Sequence, residues 1–500
     1  MTRAESEHWY LDKSSGRRLS FTPKPDEVVV TFPPGTGVAE VVAPPAVASL
    51  SQGANTRQGY AVIHPARGQS ADEVAAAVHP VSNALPAMVD GDGLVRYFLP
   101  DEFTVQFRPG VPPARAEQIL AHEGARILVR QRTPGYYTAS VPDGRGLFAT
   151  IRRFADLPEV SFAEPSEAGF NNLLYVPDDT NFNRLWGMRN TGQTVNGTTG
   201  TAGIDIDAVL AWDRHRGDPS VILAILDTGA DLDHPDLAAN ILPRGSEDWD
   251  FADGPDKVPD DTAGHGSHVA GTAAGVDNAV GIIGVAPNCR IMPLRLDLTT
   301  GVNQNRADAI NYVAAQADAH PERRYVINCS WKTNGDHAGV RNAIVNAVDH
   351  NVVVCFAAGN SNANTDVTPE FPGVYPQVIA VAAVDQFGRK ASFSNFGGNV
   401  DVNAPGVNVF SSVPNDTYAF FDGTSMASPH VAGLAALVWS ASPGLSNTQV
   451  REVVEDSCAD SAALNPGFPG QLGRGRINAD SAVARAQFIG AYVPALPVLS

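Results

Sequence analysis

Five apolar runs in the second half of the chain constrain its fold more than any other feature: SVILAILDTG, CRIMPLRL, RYVINCS, NVVVCFAAGN and QVIAVAAV. They are rich in β-branched residues and lack polar alternation, as expected of strands buried on both faces of a parallel sheet. Small-residue helical segments such as NRADAINYVAAQADAH and GVRNAIVNAVDH lie between them. The pattern predicts a doubly wound, mostly parallel α/β domain over 171–490, ending near ADSAVARAQF, with 491–500 as a tail. In such a domain reactive groups gather at the carboxyl ends of the strands.

Five hundred residues exceed what one core supports, so more than one domain is expected. The first part carries an internal echo. PDEVVVTFPPG at 25–35 and PDEFTVQFRPG at 100–110 are identical at seven of eleven positions, 75 residues apart. Gly59-Tyr60 then echoes Gly135-Tyr136, and Leu85-Pro86 echoes Leu157-Pro158. Three echoes in one order predict a duplication. Each copy reads as strand, helix, strand, helix, strand. In the second these are FTVQF, PARAEQILAHEG, YYTASV, LFATIRRFADLP and VSFAEP. Two small ferredoxin-like α/β sandwich units are expected, over 1–98 and 99–170.

The net charge of −19 removes nucleic acid and anionic membrane surfaces as partners, since both need a basic face. No run of about 18 apolar residues is present to span a bilayer. MTRAESEHWYLDKSSGRRLS has no apolar segment of the secretory kind, so a cytoplasmic or non-classically exported protein is expected. Cys329 and Cys355 lie in apolar runs and read as buried free thiols; with Cys289 and Cys458 they are too few for a disulfide scaffold.

FDGTSMASPHVAG, Phe421 to Gly433, places Ser425 before a run of small residues and a proline. Proline is tolerated in the first turn of a helix, so Ser425 is expected at a helix N-terminus, as a cap or a nucleophile. Two further stretches bear on the choice. AILDTGADLDHPDL puts Asp227 where the first buried strand stops, and GHGSHVAGTAAG opens a helix with His265. A serine hydroxyl attacks effectively only when a base removes its proton. Imidazole titrates near neutrality and can serve, and a carboxylate can hold it in the useful tautomer. The order Asp, His, Ser is one known arrangement of the hydrolytic triad.

On these three motifs the chain from about Pro177 to Phe488 resembles the subtilisin-like serine proteases, the subtilase group. The resemblance implies a serine endopeptidase working through an acyl-enzyme, with Asp227, His265 and Ser425 as the triad. It implies that Asn360 in CFAAGNSN and the Ser425 N–H stabilise the oxyanion, one such donor being worth about 3–4 kcal/mol. It also implies that an extended peptide lies along two edge segments, one near Gly301 to Gln304 and the other at Ser330-Trp331-Lys332, with Ala357, Ala358 and Gly359 alongside. Trp331 either floors an apolar subsite or packs in the core. Lys332 stands where relatives have glycine, and would narrow the pocket for the residue before the scissile bond or attract an acidic one.

The family likeness further implies a structural calcium ion held by Asp179, Asp236 and Asn278 and by the carbonyls of Val276, Val280 and Ile282; no organic cofactor is expected. His268, three residues after His265, reads as a packing residue, and His234 and His430 as turn and helix residues. Residues 102–165 resemble the family's propeptide, which assists folding and then inhibits. Self-cleavage is expected between Pro165 and Val176, giving a monomeric protease that acts on peptides or proteins. Two rival readings are a catalytically silent binding protein on the same scaffold and an acyl hydrolase; the latter is disfavoured by the absence of a GxSxG elbow.

Overall fold

The structure, a computed structural model, describes residues 8–12, 17–32, 47–54, 59–65, 83–90, 95–131, 133–142, 146–168, 175–245, 247, 249–252 and 258–492. The chain divides into two compact units, Met1–Asn171 and Asn172–Ser500.

In the first unit, Trp9–Asp12 (β1) and Arg17–Ser20 (β2) form a hairpin. Strands Thr22–Phe32 (β3), Val47–Ala54 (β4), Gly59–Pro65 (β5), Asn83–Val89 (β6) and Val95–Arg96 (β7) make an antiparallel sheet in the order β4-β5-β3-β6-β7. Phe98–Phe107 (β8), Ile127–Arg130 (β9), Tyr136–Ser140 (β10) and Val160–Glu167 (β11) make a second, in the order β11-β8-β10-β9. Helices Pro113–His122 (α1) and Leu147–Ala155 (α2) complete the second copy. The helices expected of the first copy fall on residues outside those described. The four strands β3 to β6 nevertheless stand in the same order as β8 to β11.

Register bears on the echoes one by one. Tyr60 faces Thr31, and Tyr136 faces Gln106, positions on the leading strands that share the 75-residue offset. The third echo does not correspond. Leu85-Pro86 lies within β6, whereas Leu157-Pro158 sits in the turn before β11. The residue that matches Pro86 by register is Pro165, since they face Val28 and Phe103. Strand β9 was not expected, because ILVR is short and alternates half-buried and exposed positions at the sheet edge. Nor do the copies have separate cores. Phe21 and Met88 pack in one cluster with Phe98, Phe103 and Phe148, and Phe21 meets Phe98 edge-on at 5.1 Å.

In the second unit, all five apolar runs are strands of one parallel sheet: Val221–Asp227 (β12), Arg290–Arg295 (β13), Arg324–Cys329 (β14), Val353–Ala357 (β15) and Ile379–Val384 (β16). Val402–Pro405 (β17) adds a sixth, in the order β13-β12-β14-β15-β16-β17. Every residue of β12 is buried. Val221, Leu223 and Ile225 face one core cluster; Ile222, Ala224 and Leu226 face the other. Helices His265–Ala274 (α3) and Thr424–Ala441 (α6) contribute to the first cluster, and Asn303–Ala319 (α4) and Ala338–Asp349 (α5) to the second. Helix α6 is apolar around most of its circumference and is buried accordingly. All four cysteines are free, and Cys289, Cys329 and Cys355 are buried. Among the described residues no helix is long and apolar enough to cross a membrane.

Candidate active site

Strand β12 ends in Asp227, whose side chain is fully buried. A buried carboxylate needs donors close at hand. Its Oδ1 accepts the Thr228 backbone N–H at 2.8 Å and His265 Nδ1–H at 2.6 Å. Burial disfavours the charged imidazole, but the charge and hydrogen bond of Asp227, with the charge of Asp261, outweigh it and raise the His265 pKa. His268, on the same helix, behaves oppositely. Burial pushes it down to about 3, its Nε2 donates to the Val409 and Ala419 carbonyls, and its ring stacks on Phe421. His430 is likewise lowered by burial, to about 4, with Nδ1 bonded to the Met426 carbonyl. His234 packs against Tyr418 and accepts the Asp236 N–H. Of His265, His268 and His430, the ring on Asp227 is the one whose pKa is raised.

The sequence reading missed Asp261, which organises the start of α3. Its Oδ1 accepts from Thr228 Oγ1 and from the N–H groups of Ala263 and Gly264, each at 2.9 Å. Its Oδ2 accepts the N–H and hydroxyl of Ser267. The available signal was an acid just before a helix start, in DDTAGHGS. Gly266 allows the helix to approach β12: a Cβ there would collide with the carbonyl oxygen of Gly229.

Ser425 is the second residue of α6. Pro429 lies inside the helix, a turn deeper than the expected first turn. Having no N–H, it cannot bond back to the Ser425 carbonyl. The hydroxyl of Ser330 replaces that donor at 2.8 Å, and the Ser425 hydroxyl donates to the Ser330 carbonyl at 3.2 Å. Buried Asn328 continues the link, donating to Ser330 Oγ and accepting from Ser428 Oγ. Asn360 follows β15. Its Oδ1 accepts from the Thr424 N–H and hydroxyl, at 2.9 and 2.8 Å, which orients its amide beside Gly423 and Ser425.

The flanking segments depart in part from expectation. Trp331 packs in the second core cluster; its indole N–H donates to the Leu226 carbonyl at 2.8 Å and its ring meets Phe356 edge-on. Lys332 does not stand alone: its ammonium lies 2.6 Å from Glu370, a residue that no sequence motif singles out. Asn303 and Gln304 begin helix α4, so only Gly301 and Val302 of that stretch remain outside it, and the Gly301 carbonyl accepts from Arg306. Ala358 is buried, while Ala357 and Gly359 are half-buried beside it.

Asp179 and Asp236 are both buried, and Asp179 Oδ2 and Asp236 Oδ1 have no hydrogen-bond donor. Burial raises both pKa values, Asp179 to about 6. The loop carrying Val276, Asn278, Val280 and Ile282 joins them: the Asn278 N–H faces Asp179, the Ile282 N–H donates to Asp236 Oδ2, and the Val276 N–H to the Asp236 carbonyl. Carboxylate oxygens of Asp178, Asp179 and Asp277 also lie within 4.8 Å of one another, with Asp277 already engaged by Tyr175 and Arg216.

A sequence model of the Subtilase family matches residues 218–475. The chain belongs to this family of serine endopeptidases. It is 39% identical over 391 residues to the thermophilic serine proteinase of Bacillus sp. (strain AK1), covering 77% of this chain and 88% of that one. Thermitase of Thermoactinomyces vulgaris is 39% identical over 281 residues, 56% of this chain and 93% of its own. Among solved structures, one titled as proteases from Pseudoalteromonas arctica shares 31% identity at a TM-score of 0.53. It covers 62% of this chain and 100% of its own.

Gly266→Ala is expected to push α3 and its histidine away from β12. A misplacement of about 1 Å costs on the order of 10²-fold in rate. The expected result is a loss of that size in kcat/KM on a peptide substrate, with a folded protein by circular dichroism.

Proposed function

We propose that this endopeptidase cleaves peptide bonds through an acyl-enzyme on Ser425, with His265 as general base and Asp227 as its orienting partner. The observation that carries the reading is the 2.6 Å hydrogen bond from His265 Nδ1 to buried Asp227, which leaves Nε2 as the free basic nitrogen. In the structure the Ser425 hydroxyl donates to the Ser330 carbonyl, and in this reading it gives up that acceptor for Nε2 before attack. Nε2 then takes the proton as Oγ attacks, and returns it to the leaving amine. The Asn360 amide and the Ser425 N–H, unpaired in the first turn of α6, receive the oxyanion. A fluorophosphonate should label Ser425, and Ser425→Ala should remove both labelling and hydrolysis. Absence of an adduct in the wild-type protease would leave a silent scaffold as the better description.

The sign of the pH dependence follows from the histidine. Catalysis needs the neutral ring, and Asp227 holds the pKa above its ordinary value of 6.5. The rising limb of kcat/KM is therefore expected above pH 6.5, and a flat profile from pH 6 to 8 would remove His265 as base.

The chain is made, in this proposal, as a self-inhibited precursor. The β8-α1-β9-β10-α2-β11 segment has the element order of a ferredoxin-like sandwich, in keeping with the propeptide likeness of residues 102–165. Part of the stretch expected to be cut, Pro165 to Val176, lies outside the described residues. The Ser425→Ala protein should accordingly stay full length.

Calcium fits the Asp179–Asp236 region, because two buried carboxylate oxygens without donors suit a hard cation. Asp179, Asp236 and Asn278 would hold it with the carbonyls of Val276, Val280 and Ile282, and it would cross-link the loop to the body of the domain. With calcium about 100-fold above its Kd, EDTA should lower Tm by about 5–10 °C. An Asp236→Asn variant should show a smaller drop.

A further inference from the structure

Lys332 and Glu370 come from different loops and meet where two segments bonded to the first turn of α6 run together. Strands β14 and β15 are parallel neighbours, and each emits a segment at its carboxyl end. Ser330-Trp331-Lys332 exchanges hydrogen bonds with Ser425 through Ser330, and Ala358-Gly359-Asn360 ends in the amide that holds Thr424. Glu370 lies against the second segment: a Cβ on Gly359 would come within 2.6 Å of its Cδ. Thr333, next after Lys332, donates its N–H to the carbonyl of Phe371, next after Glu370. The two loops therefore run together, and the ion pair bridges them.

The two partners are held unequally. Glu370 Oε2 accepts from Asn395 Nδ2 at 2.6 Å and from Ser361 Oγ at 3.1 Å, and the side chain is 13% exposed. Its Oε1 is buried, and its charge partner is Lys332 at 2.6 Å. The Lys332 side chain is 58% exposed on a flexible stem. The exposed ammonium is readily rehydrated when it swings away, whereas the buried carboxylate is held by its donors and needs a cation beside it.

We propose that Glu370 is the specificity group for the residue preceding the scissile bond, and that it selects lysine or arginine by exchanging the Lys332 ammonium for the substrate's cation. This rests on the Ser425 reading above and on a peptide lying along Ser330-Trp331-Lys332 with Ala358 and Gly359 alongside, as the family likeness implies. An incoming carboxylate would lie beside Glu370 and meet like charge. A long apolar side chain would have to bury the ion pair without replacing either member. A basic side chain instead keeps a cation on Oε1 and sends Lys332 into solvent. The net charge of −19 adds long-range attraction for cationic peptides.

The test uses the mature protease and peptide p-nitroanilides that differ only in the residue before the cleaved bond: arginine, lysine, norleucine, phenylalanine and glutamate. Active-site titration with a fluorophosphonate first counts the competent Ser425. The wild type should favour arginine and lysine over norleucine by about tenfold or more in kcat/KM. Glu370→Gln should collapse that ratio by about tenfold, and Lys332→Ser should raise it by removing the tethered competitor. If Glu370→Gln does not fold, Lys332→Ser decides alone, since an unchanged or lowered ratio overturns the proposal. A titratable wild type that prefers phenylalanine or glutamate overturns it as well and leaves the triad standing. A protein without a titratable serine overturns both.

Discussion

A fully buried carboxylate at the end of β12 governs the arrangement around it. Asp227 is fully buried, so the donors to its Oδ1 come from the protein itself. One is the backbone of the next residue and the other is an imidazole delivered by a separate helix. That helix has to press against the strand end, which explains the glycine at 266 and the anchoring of its first turn on Asp261. The raised basicity of His265 is the chemical return of the same arrangement.

Three neighbouring histidines show how far environment controls this. His234, His268 and His430 are all buried and all spend ring nitrogens on backbone groups. Without an acid in contact, burial keeps His268 and His430 neutral far below physiological pH. One helix thus carries two imidazoles three residues apart whose pKa values move in opposite directions. The difference is made by residues elsewhere in the chain.

The sheet was legible because a strand covered on both faces must be continuously apolar, and five runs in the chain were. The sixth strand, Val402–Pro405, is short and ends in proline, so it carried no such signal. Asp227, His265 and Ser425 stood out because each lies in a long motif with a stated chemistry, and the first two prove to be in hydrogen-bond contact. Trp331 was ambiguous since periodicity does not say which way an indole points, and its N–H found the backbone of β12. Glu370 belongs to no motif and acquires meaning only through Lys332, 38 residues earlier. The leading strands of the two echoed segments were readable from identity alone, but Pro86 and Pro165 are matched by pairing partner, a relation that sequence spacing hides.

Pro429 has an effect beyond its own helix. By withholding one donor, it leaves the serine's carbonyl open to a hydroxyl from the strand β14 loop, and the serine's own side chain answers the same residue. Ser425, the nucleophile of the proposed mechanism, is thereby clamped at two points to the Ser330 segment. In that mechanism, a shift of the loop, such as one from a change at Asn328, would reach the Ser425 hydroxyl over a single residue's length. Ground that guides the peptide and ground that supports the attacking group are, at this position, one piece of backbone.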